Sequence, residues 1–543
     1  MLQFPYGLAD FHRIRTQGYL YLDRTAHLHD LERLGNVLVF LRPRRFGKSL
    51  WLDTLRCYYD LRFASEFESL FGDLAIGREP TPLHNRYFVL VWDFSRVDPH
   101  GSIDAIQRRL NEYLDNELDL FLKGYGEHLP TANVSLREDA GDSLSQVLAA
   151  VRTTPYKLYL LIDEYDNFIN EVMVRDPETY RALVRADGPV KSLFKSLKAS
   201  MRGEGLERVF MTGITPVALN DLSSGFNIAR DVSRHPSLAT LCGFTETEIR
   251  GQILEPMVQS GSLDAERIAE TMRTLHEWYN GYIFSPDVDV RVLNPTNCLH
   301  LLQELQELGR YPRELHDRNL AMDRAKLAFL SQAPAGERLI TELTMGDGIV
   351  DVPELVSQIS LEDLVTRLDH DRHFLASFLY YLGLLTFVGD PAEQRLGIPN
   401  LVARKIYLER LLELRLPATS DRNDASSLAL RFFRDGELEP LARFVETKLL
   451  AALSNRDSGG MRELAFKTLL LALLFDDQRY LAFSELEASH GHADLCLLRR
   501  ALPTTTRLFD LLFELKLVPG KTTGLDSAQL AALEDNALRA LPP

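Results

Sequence analysis

The sequence predicts a multidomain α/β protein whose first domain is a parallel sheet covered by helices on both faces. Three observations carry that prediction. Apolar, β-branched runs recur at residues 37–41, 86–93, 157–162 and 208–211, as in strands buried on both sides. Helix-patterned segments, residues 103–122 and 143–151, lie between them, and alternation of strand and helix implies parallel crossovers. The first run leads into Arg42-Pro43-Arg44-Arg45-Phe46-Gly47-Lys48-Ser49 and then into the helical spacing of residues 50–56. Ligands of such sheets sit at the carboxyl ends of the strands.

A Gly-Lys-Ser between strand and helix is the second half of a phosphate-binding loop. Backbone N–H groups opening the helix point at an anion, Lys48 reaches the terminal phosphates, and the Ser49 hydroxyl coordinates Mg²⁺. Gly47 lets the backbone approach phosphate, whereas Arg42 stands where the loop's first glycine is expected. Before the loop, Phe4–Phe11 and Tyr19–Thr25 bring aromatics that form either a wall for a nucleobase or simply core.

The third apolar run ends in Asp163-Glu164. In nucleotide-hydrolysing sheets the first such carboxylate holds the Mg²⁺ shell and the second polarises the attacking water as general base. The fourth run ends in Thr212-Gly213-Ile214-Thr215, where Thr212, with Thr215 as the alternative, would lie beside the γ-phosphate. A short strand over residues 238–242 is expected to make five. Arg230 and Arg234 stand where a transition-state arginine could sit, although solvated surface arginine is the commoner explanation of such residues.

The remaining length demands further domains, since 543 residues exceed one core. Residues 1–243 hold the phosphate loop, and residues 244–345 read as a helical lid opened by the cap signal Thr245–Glu248. Residues 346–415 read as a winged-helix-like connector, and residues 426–543 as a second α/β domain. There the expected strands are 480–487, 491–498 and 511–518. Alternation along the third puts Glu514 and Lys516 on one face, with Asp494 able to approach from its neighbour. Two carboxylates and a lysine suit Mg²⁺-dependent phosphodiester hydrolysis: Asp494 and Glu514 as oxygen ligands, Lys516 orienting water, and Glu463 adding an acid from a helix. Charges that guard an edge strand give the same pattern.

Composition narrows the partners. A net charge of −16 excludes a protein that coats nucleic acid through charge alone, so any such contact is local. Four scattered cysteines without a Cys-x-x-Cys pair exclude a zinc ribbon or disulfide framework and fit a reducing cytoplasm. No signal-peptide pattern opens the chain, and its most apolar runs, residues 374–388 and 464–475, are too short to span a bilayer.

The strings Pro5-Tyr6-Gly7-Leu8-Ala9-Asp10-Phe11, Tyr21-Leu22-Asp23-Arg24-Thr25, Arg42 to Ser49 and Leu161-Ile162-Asp163-Glu164-Tyr165-Asp166 together resemble the bacterial AAA-ATPase-like family. The resemblance covers nearly the whole chain and makes the missing glycine a family trait. It implies an AAA/STAND-like P-loop domain joined to a C-terminal nuclease-like domain of the PD-(D/E)XK superfamily. It also implies ATP and Mg²⁺ as cofactors, held by Arg44, Arg45, Phe46, Gly47, Lys48, Ser49, Asp163 and Thr212, with Glu164 catalytic. Asp494, Glu514 and Lys516 would fill the nuclease core, with Glu463 in support. That nuclease fold continues past its Glu-x-Lys strand with a helix and a further strand; here a helix over residues 529–541 is expected, and a trimmed domain. The function expected is an ATPase coupled to a nuclease acting on nucleic acid, DNA ahead of RNA, in defence or mobile-element biology. A homo-oligomer is compatible and no membrane is expected. The alternatives are an ATPase with an inactive nuclease-like docking domain and a nucleotide-dependent scaffold.

Overall fold

The computed structural model describes residues 1–130, 134, 136, 139–168, 171–172, 176–184, 188–203, 205–217, 221, 227–312, 314–315, 321–345, 347–390, 393–449, 459–476, 478–488, 491–500 and 508–515. The chain divides into two compact units. One is Met1–Gly309 with Asp351–Leu396, the other Arg310–Val350 with Gly397–Pro543.

The first unit is built on a five-stranded, all-parallel sheet. Its strands are β1 (Val37–Leu41), β2 (Tyr87–Asp93), β3 (Lys157–Asp163), β4 (Leu206–Gly213) and β5 (Arg230–Asp231), in the order β2-β3-β4-β1-β5. Every residue of β1 is buried, as the unbroken apolar run requires. Helix α1 (Lys48–Tyr59) follows β1, and its Leu55 and Tyr59 pack in one core with Phe40, Tyr159 and Phe210 of the sheet. The order sets β4 between β1 and β3, with Phe40 opposite Thr212 and Leu41 opposite Gly213. The loops after β1, β3 and β4 therefore leave the sheet side by side at its carboxyl edge.

The fifth strand is not the one expected. Residues 238–242 form no strand, and the outer position is taken by the two exposed residues of β5. Pro236 explains the difference, because it lacks a ladder N–H and opens a 3₁₀ turn, Pro236–Leu238. The cap signal at residue 245 does open a helix: Thr245 and Glu248 bond reciprocally in a capping box.

A three-stranded sheet is formed by β6 (Ile349–Asp351), β7 (Thr386–Val388) and β8 (Arg395–Gly397), in the order β6-β8-β7. In the second unit, helices α2 (Leu401–Arg415) and α3 (Gly459–Leu474) share a core with an antiparallel sheet, through Leu408, Leu411, Leu469, Tyr480 and Leu495. That sheet is β9 (Tyr480–Ala488), β10 (Gly491–Arg499) and β11 (Leu511–Phe513), with β10 central. Strand β11 stops before Glu514, shorter than the expected 511–518, and the alternation argument does not reach that residue. The cause is local: the N–H of Leu515 donates to Asp494 Oδ2 (2.7 Å) instead of to a ladder partner. Lys516 and the helix expected over residues 529–541 lie outside the described residues.

Candidate nucleotide site

The loop after β1 takes its shape from two left-handed residues, Arg45 (φ 69°) and Gly47 (φ 98°). Arg42 does not need φ > 0, so no glycine is required at its position. Instead its side chain turns under the loop. It is 2% exposed and donates to the carbonyls of Leu41 (2.9 Å), Ser233 (2.5 Å) and Leu238 (3.0 Å). The guanidinium also lies 4.3 Å from the Phe40 ring centroid and 4.1 Å from that of Phe284. Burial lowers its pKa to about 10, which leaves it cationic at neutral pH.

Gly47 caps α1, and Lys48 is its first residue. Lys48 is buried, and its Nζ donates to the loop's own carbonyls at Arg42 (3.0 Å) and Pro43 (3.1 Å). Burial lowers its pKa, against the pull of Glu164 and Asp163 across the site. Phe46 points inward and stacks edge-on with Tyr282 and Phe284, with centroids at 4.9 and 5.1 Å. Ser49 and Arg45 line the cavity above the loop, and the Arg45 carbonyl accepts from Thr296 Oγ1 (3.1 Å).

Opposite the loop, Asp163 closes β3, and its Oδ1 accepts from the Thr212 hydroxyl and from the Glu164 N–H (3.1 Å). Glu164 is left-handed at φ 46°, an uncommon conformation for a residue with a β-carbon, and it turns its side chain into the cavity. Burial raises its pKa, with Asp163 and Asp166 adding to the rise and Lys48 and Arg44 opposing it. Arg44 reaches across to Asn167 Oδ1 (2.9 Å), in the turn that holds Glu164.

Sequence reasoning had given Asp166 no role. It is fully buried and accepts from the N–H groups of Ile214 (3.1 Å) and Thr215 (2.8 Å) and from the Thr215 hydroxyl (3.0 Å). It thus joins the turn after β3 to the turn after β4. Its signals in the sequence are its place behind Asp163-Glu164 and its membership of the string Leu161 to Asp166.

A cavity of about 380 Å³ runs from these residues to the N-terminal segment, bounded by Leu8, Tyr21, Phe244, Pro295 and Leu299. Arg24 ties that segment to the following region, donating to Glu248 and to the Gly243 carbonyl (2.7 Å). The aromatic question is answered in two ways: Phe4 and Phe11 are core, while Tyr21 lines the cavity and packs on Phe11. Arg230 donates to the Leu34 carbonyl (2.9 Å) from the outer strand, which gives it a structural contact.

Residues 5–223 match the predicted AAA-ATPase family. The matched stretch covers β1 to β4 and every residue of the loop. A curated relative, an uncharacterized protein in the vnfD 5' region of Azotobacter chroococcum mcd 1, is 27% identical over 431 residues, 76% of this chain and 71% of its own length. Among solved structures, the Aeropyrum pernix ORC1 protein in complex with DNA aligns at 14% identity, over 73% of this chain and 95% of its own, with a TM-score of 0.27. The ORC2 protein of A. pernix, in ADPNP–ADP complexes, aligns at 13% over 75% and 98%, with a TM-score of 0.37.

The distal acids are arranged differently. Asp494 lies on β10, and Lys467 of α3, buried in an otherwise apolar run, brings Nζ to 3.6 Å from its Oδ1. Glu514 follows β11, beside the Leu515 N–H that bonds Asp494. Glu463 is in α3, but its side chain, like Lys516, lies outside the described residues. Among the described residues no group of three or more His, Cys, Asp or Glu is arranged to hold a metal ion. None of the described helices is long and apolar enough to cross a membrane.

Proposed function

We propose that the first unit binds and hydrolyses ATP. One observation carries this: Lys48, Ser49 and Glu164 line the same cavity, at the start of the helix that follows β1. The amides opening α1 and the Lys48 ammonium would hold the phosphates, and Lys48 would exchange two neutral carbonyls for charged oxygens. Ser49 and Asp163 offer the oxygen donors that a hard cation takes, and Mg²⁺ bound there would neutralise charge on the β- and γ-phosphates. Thr212 fixes Asp163, and Glu164 would accept the proton of the attacking water. The wall formed by Leu8, Tyr21 and Phe244 would seat the base. Calorimetry with ATP on the parent and on Lys48→Ala tests the reading: Lys48→Ala should abolish binding, and a parent protein that binds no nucleotide overturns the proposal.

For the C-terminal part the proposal is a nuclease-like domain of the PD-(D/E)XK class, cytoplasmic and acting on DNA ahead of RNA, with Asp494, Glu514, Lys516 and Glu463 as its core. Residues 244–345 and 346–415 would serve as lid and connector between it and the ATPase domain, residues 1–243. The competing reading, a docking domain without cleavage, is favoured by Lys467, whose buried ammonium already stands 3.6 Å from the Asp494 carboxylate. Labelled DNA and RNA incubated with Mg²⁺, with and without ATP, separate the two. Cleavage lost in Asp494→Ala supports the nuclease, and no cleavage by the parent supports docking.

A further inference from the structure

We infer that the segment returning to the first unit, residues 351–396, holds the phosphate loop in its binding shape, so that nucleotide at Lys48 and the docking of this segment strengthen each other. This rests on the ATPase reading above. The peptides that open the loop have two kinds of support. One is Lys48, whose Nζ donates to the carbonyls of Arg42 and Pro43. The other is packing, where the left-handed Gly383 (φ 76°) closes so tightly on Pro43 that a β-carbon would stand 2.7 Å away. A charged phosphate oxygen is a stronger partner for an ammonium than a peptide carbonyl is. Nucleotide therefore draws Lys48 off the first support, and the loop keeps its shape through the second.

That second support depends on the returning segment at more than one point. Phe284 takes the Arg42 guanidinium at 4.1 Å from its centroid and the Phe46 ring at 5.1 Å, and Tyr282 meets Phe46 at 4.9 Å. The backbone carrying these aromatics is clasped by Thr386 of β7, whose Oγ1 accepts from the Ile283 N–H (2.8 Å) and donates to the Ile283 carbonyl (3.2 Å). The Tyr380 hydroxyl donates to the Phe284 carbonyl (3.3 Å). Tyr380 belongs to the helix Arg372–Tyr381, which buries every residue from Phe374 to Tyr381. At residues 350 and 397 the chain passes into the second unit, so this segment is also the covalent link by which nucleotide occupancy can reach that unit. Coupling of this kind is reciprocal: what nucleotide adds to the docking, the docking adds to nucleotide affinity.

The test uses the full chain and a residue that is no part of the cavity wall, Thr386. In calorimetry Thr386→Val, which keeps the shape and removes the hydroxyl, is expected to weaken ATP binding by about tenfold. Thr386→Ser, which keeps the hydroxyl, should recover most of that loss. Backbone hydrogen exchange over residues 372–388 reads the converse, and saturating ATP is expected to slow it in the parent. This second measurement needs no variant, so it decides the matter even where Thr386→Val does not fold. Parental ATP affinity in Thr386→Val, or exchange over residues 372–388 that ATP leaves unchanged, overturns the inference and leaves the ATPase reading intact. A parent protein that binds no ATP overturns both.

Discussion

Arg42 occupies the position at which a phosphate loop ordinarily turns on glycine, and its side chain replaces what the glycine's conformation would have supplied. Three backbone carbonyls and two aromatic faces converge on one buried cation, while the left-handed turn moves to Arg45. Arg42→Gly, which restores the usual loop string, is therefore expected to destabilise the protein by roughly 2–4 kcal/mol, through orphaned carbonyls and a vacated space between Phe40 and Phe284. Urea denaturation measures it. Glu164 yields a pH prediction. Its pKa in the folded protein is raised, so its folding contribution is greatest below the ordinary glutamate range and declines as pH rises through the raised value. Glu164→Gln should accordingly raise Tm at neutral pH relative to the parent, with the gain fading on acidification. As the proposed base, Glu164 must also lose its proton, and kcat should fall on acidification at a pH above that of an ordinary glutamate. The loop lysine, serine and acids were legible one by one, because each sits beside a strand end. Lys467 and Asp166 were not, since a lone charge in an apolar run and a second aspartate in a turn carry no spacing.

At the scale of elements, the turns after β3 and β4 behave as one piece. Tyr165 donates its hydroxyl to the Thr215 carbonyl (2.6 Å), and Asp166 takes three donors from the same turn. Gly213 lies between them without room for a β-carbon, which would meet the Tyr165 ring and stand 2.7 Å from Asp166 Oδ1. Gly213→Ala should cost about 1–3 kcal/mol by overpacking and lower kcat more than ATP affinity, because the displaced turn carries Glu164. Thermal melts and steady-state kinetics read the two effects separately. Four of the five strands could be read from the sequence because burial on both faces leaves a continuous apolar run. The fifth could not: β5 is two exposed polar residues, and its place is set by pairing with β1. Residues 238–242 had the apolar content of a strand, but the turn opened by Pro236 takes the chain out of the ladder.

At the scale of the whole molecule, the first unit is discontinuous in sequence, since residues 351–396 return to it. The return is specific. Thr386 Oγ1 accepts from the Ile283 N–H (2.8 Å) and donates to its carbonyl (3.2 Å), and Tyr380 donates to the Phe284 carbonyl (3.3 Å). Gly383 comes so near the loop that a β-carbon there would stand 2.7 Å from Pro43. A fragment ending at residue 309 is therefore expected to melt at lower temperature than the full chain and to gain less from added ATP in a thermal-shift assay. Local periodicity had no means of showing this, because the contacts join residues about a hundred or more positions apart.

The same return fixes an order of events during synthesis. The strands and acids around the phosphate loop leave the ribosome early, yet the layer behind Pro43 and Phe284 is still untranslated. Residues 310–350, which belong to the other unit, must emerge before it can arrive. A nascent chain thus carries the five strands and the cavity-lining residues without the layer that packs behind them for the whole of that interval, and a pause within it would leave that apolar surface open to chaperones.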